Sequence, residues 1–414
     1  MLFARLLRYV VKYGRITVID AHGHKHVIAG ASGPSLTIRL HDPSLHWKLF
    51  INPNLYLGEA YMDGTFTVED GDIHDFLAFA TRNLEACGGH PVMDWVSRAD
   101  SLFRRAQQFN PVWRSRRNVA HHYDLSGKLY DLFLDEDRQY SCAYFERPED
   151  DLETAQQNKK RHLAAKLLLK PGMKVLDIGS GWGGLALYLA EHAGVQVTGL
   201  TLSTEQLEVA RARARKRGLE DRVRFHLRDY REQTGDFDRI VSVGMFEHVG
   251  LAHFREYFSG VSRLLKDDGV AVIHTIGRTE EPRATNPWIR KYIFPGGYIP
   301  ALSEMMQSIE RNKLVNCDVE VLRLHYAETL HHWRKRFAAN RDKAVRLYDE
   351  KFCRMWEFYL AASETSFRYM DNVVFQVQLA KERGAVPLTR DYMYTRDGRR
   401  QRKDDRPSDG SAAA

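Results

Sequence analysis

From residue 151 onward the apolar positions of this chain fall into two alternating rhythms. Short runs rich in Val, Ile and Leu give way to longer stretches in which apolar residues return every three or four positions. Runs of the first kind read as buried strands, and stretches of the second kind as amphipathic helices. The pattern predicts a helix over 151–169, stopped by Pro171 and Gly172. It then predicts strand 174–179, helix 184–192, strand 195–201, helix 203–217, strands 223–228 and 239–244, helix 253–265 and strand 270–276. Helices around 301–312, 327–347 and 351–370 follow, with apolar strands at 319–324 and 373–379 that would close a sheet as an antiparallel pair. Strands joined by helices in this order imply an α/β fold with a doubly wound parallel sheet.

Before residue 95 the rhythm differs. Short strand-like runs at Ile16–Asp20, His26–Ala29 and Leu36–Leu40 precede a helical pattern at Ile73–Arg82, and Gly88, Gly89 and Pro91 punctuate the end. The expected organisation is a small N-terminal α+β domain (1–95), a basic helical linker (96–120), a large α/β domain (121–389) and a basic tail (390–414). The tail carries Arg396, Arg399, Arg400, Arg402 and Lys403 with little apolar content, and is expected to be disordered. No internal repeat is visible.

Composition adds limits. The 414 residues suffice for two domains, and 43% hydrophobic residues is ordinary for a folded protein. Cys87, Cys142, Cys317 and Cys353 are far apart, which fits reduced thiols and a cytoplasmic location. No run approaches the roughly 20 apolar residues of a membrane span, and no secretory signal is read. The net charge of +7 is concentrated. Arg5, Arg8 and Lys12 alternate with Leu2, Phe3, Leu6, Leu7, Val10 and Val11, and a second cluster of arginines and aromatics spans 98–117. Both segments suit an anionic lipid surface, and equally a helix packed on its own domain followed by a solvated linker. No nucleic-acid-binding module is present, so nucleic acid is not an expected partner. His22, His24 and His26 fit a polar hairpin turn better than a metal site, and the adjacent pairs His121–His122 and His331–His332 do not share one helix face. No metal is expected.

The candidate chemistry begins at KVLDIGSGWGG, residues 174–184. A strand ending in Asp177 runs into a glycine turn and a helix start, a cradle for a nucleotide-like ligand. Gly179, Gly181 and Gly184 formally satisfy the dinucleotide fingerprint. That fingerprint expects an acid after the second strand. Here the second strand ends in Thr201, Leu202 and Ser203, with Gln206 following, which weighs against NAD. Asp229 closes the third strand instead, where an adenine amino group would find an acceptor. This arrangement resembles the class I S-adenosylmethionine-dependent methyltransferases, whose Rossmann-like doubly wound sheet is therefore the expected fold.

Further segments narrow the resemblance. HHYDLSGKLYDLFLDEDRQYSCAYFE (121–146), LDIGSGWGG (176–184), GLTLSTEQ (199–206), DRIVSVGMFEHVG (238–250) and HTIG (274–277) are similar to the cyclopropane-fatty-acyl-phospholipid synthases and the mycolic-acid cyclopropane synthases. The likeness runs from about 121 to 383, and the N-terminal module resembles that of the bacterial phospholipid-acting members. It implies transfer of a methylene unit from S-adenosylmethionine to a cis double bond in an acyl chain of a membrane phospholipid. A methylene- or methyl-branched product is the alternative. By resemblance, a bicarbonate ion serves as base at Cys142, Glu247, His274, Ile276 and Tyr326. Glu247 beside an anion requires that one of the two carry a proton; otherwise Glu247 orients His274. The resemblance further assigns Tyr140 and Ser141 to the methionine end of the cofactor, with Asp177, Gly179 and Gly181 at the turn. Leu202 and Gln206 go to the ribose, and Asp229 and Tyr230 to the adenine. Tyr230 stands where some mycolic-acid relatives have tryptophan. Trp288, Tyr292, Phe294 and Tyr298 are expected to line or lid an acyl tunnel. The implied partners are a phospholipid bilayer with unsaturated acyl chains and a second copy of the chain, at the inner face of the membrane.

Overall fold

The structure is a computed structural model, and it describes residues 2–87 and 126–394. The predicted linker helix at 96–120 lies outside the described residues.

The N-terminal unit runs α1 (Leu2–Val10), β1 (Tyr13–Ile19), β2 (Lys25–Ala29), β3 (Ala31–Leu40), α2 (Leu45–Ile51), α3 (Pro53–Met62), β4 (Phe66–Val68) and α4 (Ile73–Cys87). Its sheet has the order β2-β1-β3-β4, with β1 parallel to β3 and the outer pairs antiparallel. α1 buries Phe3, Leu6, Leu7 and Val10 and leaves Arg5 and Arg8 outside, so it does pack on its own domain. Asp20 closes the β1–β2 hairpin by accepting the backbone N–H of His22 and His24 and lying 2.9 Å from His26 Nε2. The three histidines are thus part of a polar turn. Helices α2 and α3 and strand β4 have no counterpart in the sequence pattern. α2 and β4 are short, Asn52 and Pro53 separate α2 from α3, and the apolar residues of α3 form no single stripe.

The larger unit follows its predicted rhythm closely. After a single turn at Gly127–Tyr130 come α5 (Leu152–Lys166), β5 (Lys174–Ile178), α6 (Gly184–Ala193), β6 (Gln196–Thr201), α7 (Thr204–Lys216), β7 (Val223–Leu227), β8 (Phe237–Val243), α8 (Phe254–Leu264) and β9 (Leu265–Arg278). Then follow α9 (Pro287–Tyr292), α10 (Leu302–Arg311), β10 (Val315–Leu322), α11 (His325–Ala339), α12 (Arg341–Leu347), α13 (Glu350–Tyr369) and β11 (Asn372–Ala380). The seven-stranded sheet has the order β10-β11-β9-β8-β5-β6-β7. β5 to β9 are mutually parallel, and β11 runs antiparallel to both β9 and β10. Side-chain alternation builds a core on each face: Val175, Val241 and Val272 pack against α6 and α7, while Leu176, Ile240 and Ile273 pack against α8 and α10.

Two expectations need correction. The helix read as 327–347 is two helices, broken at Asn340, whose side chain donates to Leu132 O and Arg336 O instead of letting the helix run on. The tail read as disordered from 390 is held at its start: Arg390 Nε donates to Asp318 at 2.6 Å and Tyr392 OH to Gln378 at 2.9 Å. Residues 395–414 lie outside the described residues. Among the described residues, no helix is long and apolar enough to cross a membrane.

Candidate active site

The carboxyl ends of β5, β6, β7 and β8 surround a cavity of about 150 Å³. It lies where the strand order reverses between β5 and β8, the position at which open α/β sheets bind ligands. Tyr140, Ser141, Asp177, Gly179, Gly181, Leu202, Gln206, Asp229 and Tyr230 all line it, so every position assigned to the cofactor is brought together. Gly179 and Gly181 have φ of +84° and +53°, and a Cβ on Gly181 would meet no atom within 4 Å. The buried Asp177 leaves Oδ2 without a partner among the described residues, and burial pushes its carboxyl up to about 7. Gln206 Oε1 accepts from Thr201 Oγ1 at 2.8 Å, which leaves the amide NH₂ as the ligand-facing donor. Asp229 is not the free acceptor the sequence implied. Arg231 grips it with Nε and Nη2 at 2.9 and 2.8 Å, so an adenine amino group would share the carboxylate with a guanidinium. The open glycine turn and the orphaned carboxylate fit S-adenosylmethionine, which carries a cationic amino group and an adenosine.

Behind this cavity lies a group that the sequence reading missed. Lys159 on α5 is fully buried, and its Nζ donates to Ser141 Oγ at 2.8 Å and Gln139 Oε1 at 2.9 Å. Burial lowers its ammonium to about 8. Gln156 Nε2 adds a bond to Ser141 O at 3.0 Å. The signal was present in the sequence: α5 has no apolar stripe, so part of its inner face had to be polar.

A second, mostly apolar cavity of about 480 Å³ adjoins the first. Cys142, Glu247, His274, Ile276 and Tyr326 all line it. Four residues, Tyr140, Ser141, Gly244 and His248, border both cavities and form the septum between them. Glu247 Oε1 accepts the Ile276 N–H at 2.6 Å, while Oε2 has no partner among the described residues. Burial pushes the Glu247 carboxyl up to about 7 against the opposing pull of that N–H. Gln376 Nε2 lies 3.1 Å from His274 Nδ1; the amide donates, so the imidazole carries its proton on Nε2, which is unpartnered. Burial holds His274 well below its usual range and therefore neutral. Glu247 thus does not orient His274; Gln376 does. That glutamine was legible as the polar interruption of an apolar strand, VVFQVQLA. Cys142 is buried, donates to Ala143 O at 3.3 Å and stays a thiol because burial raises it. Trp288, Phe294 and Tyr298 line this cavity as expected. Tyr292 does not; its hydroxyl donates to Glu59 at 2.9 Å.

Comparison with known proteins agrees with this geometry. The family described as mycolic acid cyclopropane synthetase matches residues 112–377. A cyclopropane-fatty-acyl-phospholipid synthase from Escherichia coli is 39% identical over 344 residues, covering 83% of this chain and 87% of the relative. The chain belongs to the cyclopropane synthase family. Another relative of this cyclopropane synthase family member, a tuberculostearic acid methyltransferase from Mycobacterium tuberculosis, is 36% identical over 400 residues, 91% of this chain and 90% of that one. Among solved structures, a cyclopropane synthase from Mycobacterium tuberculosis superposes with a TM-score of 0.62 at 32% identity, covering 66% of this chain and 99% of that one. A mycolic acid cyclopropane synthase complexed with SAH and CTAB gives 0.61 at 34% identity, with 66% and 99% covered. The family and the fold make this chain an S-adenosylmethionine-dependent methyltransferase.

Proposed function

We propose that the chain transfers a methylene unit from S-adenosylmethionine to the cis double bond of unsaturated acyl chains in membrane phospholipids, forming a cyclopropane ring. The observation that carries this reading is the septum: a glycine-lined cavity and a larger, mostly apolar one meet at Tyr140, Ser141, Gly244 and His248. The relatives named for cyclopropane synthesis on phospholipids and mycolic acids support it.

When bound, S-adenosylmethionine supplies an electrophilic methyl group. An isolated alkene is a weak nucleophile, so the septum must hold the two reactants in line at contact distance. The walls of the larger cavity keep water from the positive charge that develops on the acyl chain. Deprotonation of the new methyl requires a base, and a bound bicarbonate would supply it. The donor set fits a small oxyanion. His274 offers Nε2–H, and Glu247, its carboxyl raised to about 7, is able to present a proton on Oε2. Cys142 and Tyr326 complete the lining, and the Ile276 amide is already spent on Glu247. The proposal includes action at the inner face of the membrane, and a homodimer.

A second reading has its own support. Relatives named as a tuberculostearic acid methyltransferase and a probable fatty acid methyltransferase carry names that specify methyl transfer and mention no ring. Lipids from a host expressing the chain decide between them. The cyclopropane and methylene-branched products both gain the mass of one methylene, but only the first gives ring-proton resonances by NMR. New olefinic methylene signals without ring protons would sink the cyclopropane reading. Glu247→Ala is expected to abolish either product.

A further inference from the structure

Among the described residues, the outer face of α1 carries charge that no carboxylate answers, although Lys12 Nζ lies 5.2 Å from the centre of the Tyr9 ring. Arg5, Arg8 and Lys12 are exposed, as is Arg15 at the start of the sheet, and none forms an ion pair with a carboxylate among the described residues. The first 19 residues contain no Asp or Glu at all. Between and beside these cations lie exposed apolar side chains: Leu2 at 36% and Tyr9 at 44% on α1, Trp47 at 41% and Ile51 at 50% on the adjoining α2. Large apolar groups set among cations that have no carboxylate partner among the described residues mark an interaction surface rather than an ordinary solvated face. The inner face of the same helix has a different role. Phe3, Leu6, Leu7 and Val10 line the 480 Å³ cavity that reaches Glu247 and His274. One helix therefore separates the cationic surface from the apolar cavity.

We propose that the α1–α2 face docks the protein on an anionic phospholipid bilayer, with α1 the wall that an acyl chain passes on its way from the bilayer to the cavity. This rests on the lipid-substrate reading above. Arginine and lysine heads meet the lipid phosphates, while Tyr9, Trp47 and Ile51 sit at the headgroup level, as interfacial helices do. The charge pattern disfavours a second copy of the chain as the occupant. A two-fold interface on this face would bring Arg5, Arg8 and Lys12 against their own equivalents, a repulsive arrangement.

The test uses the full chain with its three cations reversed (Arg5→Glu, Arg8→Glu, Lys12→Glu) and a milder variant with all three changed to Gln. Co-sedimentation is measured with vesicles of phosphatidylglycerol and phosphatidylethanolamine and with vesicles of phosphatidylcholine alone. Methyl transfer is measured on the anionic vesicles and on the same lipid dispersed in detergent. The wild-type chain is expected to bind the anionic vesicles, and more weakly as salt is raised. The reversal should lower that binding at least tenfold and the Gln variant less. Vesicle activity should fall in parallel, while activity on dispersed lipid stays within about twofold. Vesicle binding that is unchanged by the reversal overturns the proposal. So does a shift from dimer to monomer with vesicle binding intact, which would make the face a protein interface. Charge-dependent binding without methyl transfer to either form of lipid would leave the docking surface standing and remove the lipid-substrate reading instead.

Discussion

Glu247 and Asp177 are two buried carboxyls whose cost of ionisation is built into the fold. Each is raised to about 7, from 4.5 and 3.8 respectively, and burial is the main cause. Below the unfolded values both groups are protonated whether the chain is folded or not. Between those values and about 7 the unfolded chain releases protons that the folded chain keeps. Stability is therefore lost as pH rises through that window, by on the order of 3 kcal/mol for each group. Glu247→Gln should accordingly be more stable than the wild type near pH 8, by about 1–3 kcal/mol, with a smaller gain near pH 5. It should also lose turnover by about a hundredfold or more. Urea unfolding at the two pH values checks the first half, and an equal difference at both would refute the cause assigned here. Lys159 gives a second prediction. An ammonium only donates, so Ser141 Oγ must accept from it, and the Ser141 proton is left to point elsewhere. Lys159→Met removes that constraint and should raise KM for S-adenosylmethionine about tenfold, in line with one to two buried hydrogen bonds. A change confined to kcat would contradict it. These two residues also mark how far the sequence could be read. Glu247 sits in a contiguous motif and was legible. Lys159 and Gln376 show in the sequence only as polar residues among apolar ones, and it is the fold that brings Ser141 and His274 to them.

The turn between β5 and α6 shows what an element contributes that single residues do not. Gly181 and Gly184 are equivalent in the sequence pattern and different in space. A Cβ on Gly184 would collide with Gln139 Nε2 and Asp137 Oδ2, whereas one on Gly181 meets nothing and projects into the cofactor cavity. Gly184→Ala should therefore cost stability, about 1–3 kcal/mol. Gly181→Ala should leave most of the stability, losing about 1 kcal/mol to its left-handed backbone, and weaken cofactor binding instead. Thermal melts and calorimetric titration separate the two effects, and the reverse assignment would overturn the geometry. The strand–turn–helix units of the large sheet were legible because each has its period within itself. α2 and β4 were not, since each is too short to repeat, and α3 was not because its apolar residues form no single stripe. The stretch read as one helix over 327–347 kept its apolar period across Asn340, so the sequence pattern gave no sign of the break.

At the scale of the whole molecule, the two cavities divide the labour between the two units. No residue of 2–87 lines the cofactor cavity, whereas α1, α3 and α4 supply much of the wall of the larger one. The units meet where α3 and α4 pack on α13, and again between α3 and α9. Lys291 Nζ and Tyr292 OH both donate to Glu59, at 2.7 and 2.9 Å, and Gly58 lies flat against Trp288. A Cβ on Gly58 would come 2.6 Å from Trp288 Cδ1 and closer still to Nε1. Trp288 is itself buried, packed edge-on against Phe358 at 4.7 Å, and it borders the larger cavity. Gly58→Val must then part α3 from α9 or tilt the indole into the cavity. Either movement deforms the larger cavity and leaves the smaller one alone. The expected outcome is an S-adenosylmethionine affinity within about twofold of the wild type and a turnover at least tenfold lower, a factor of ten corresponding to about 1.4 kcal/mol. Calorimetry with the cofactor and methyl-transfer assays on dispersed lipid measure the two quantities independently. If both fell together, the cavities would be coupled through the septum at Tyr140 and Ser141. If neither moved, the joint wall would be dispensable, and the large unit alone would define where the acyl chain lies.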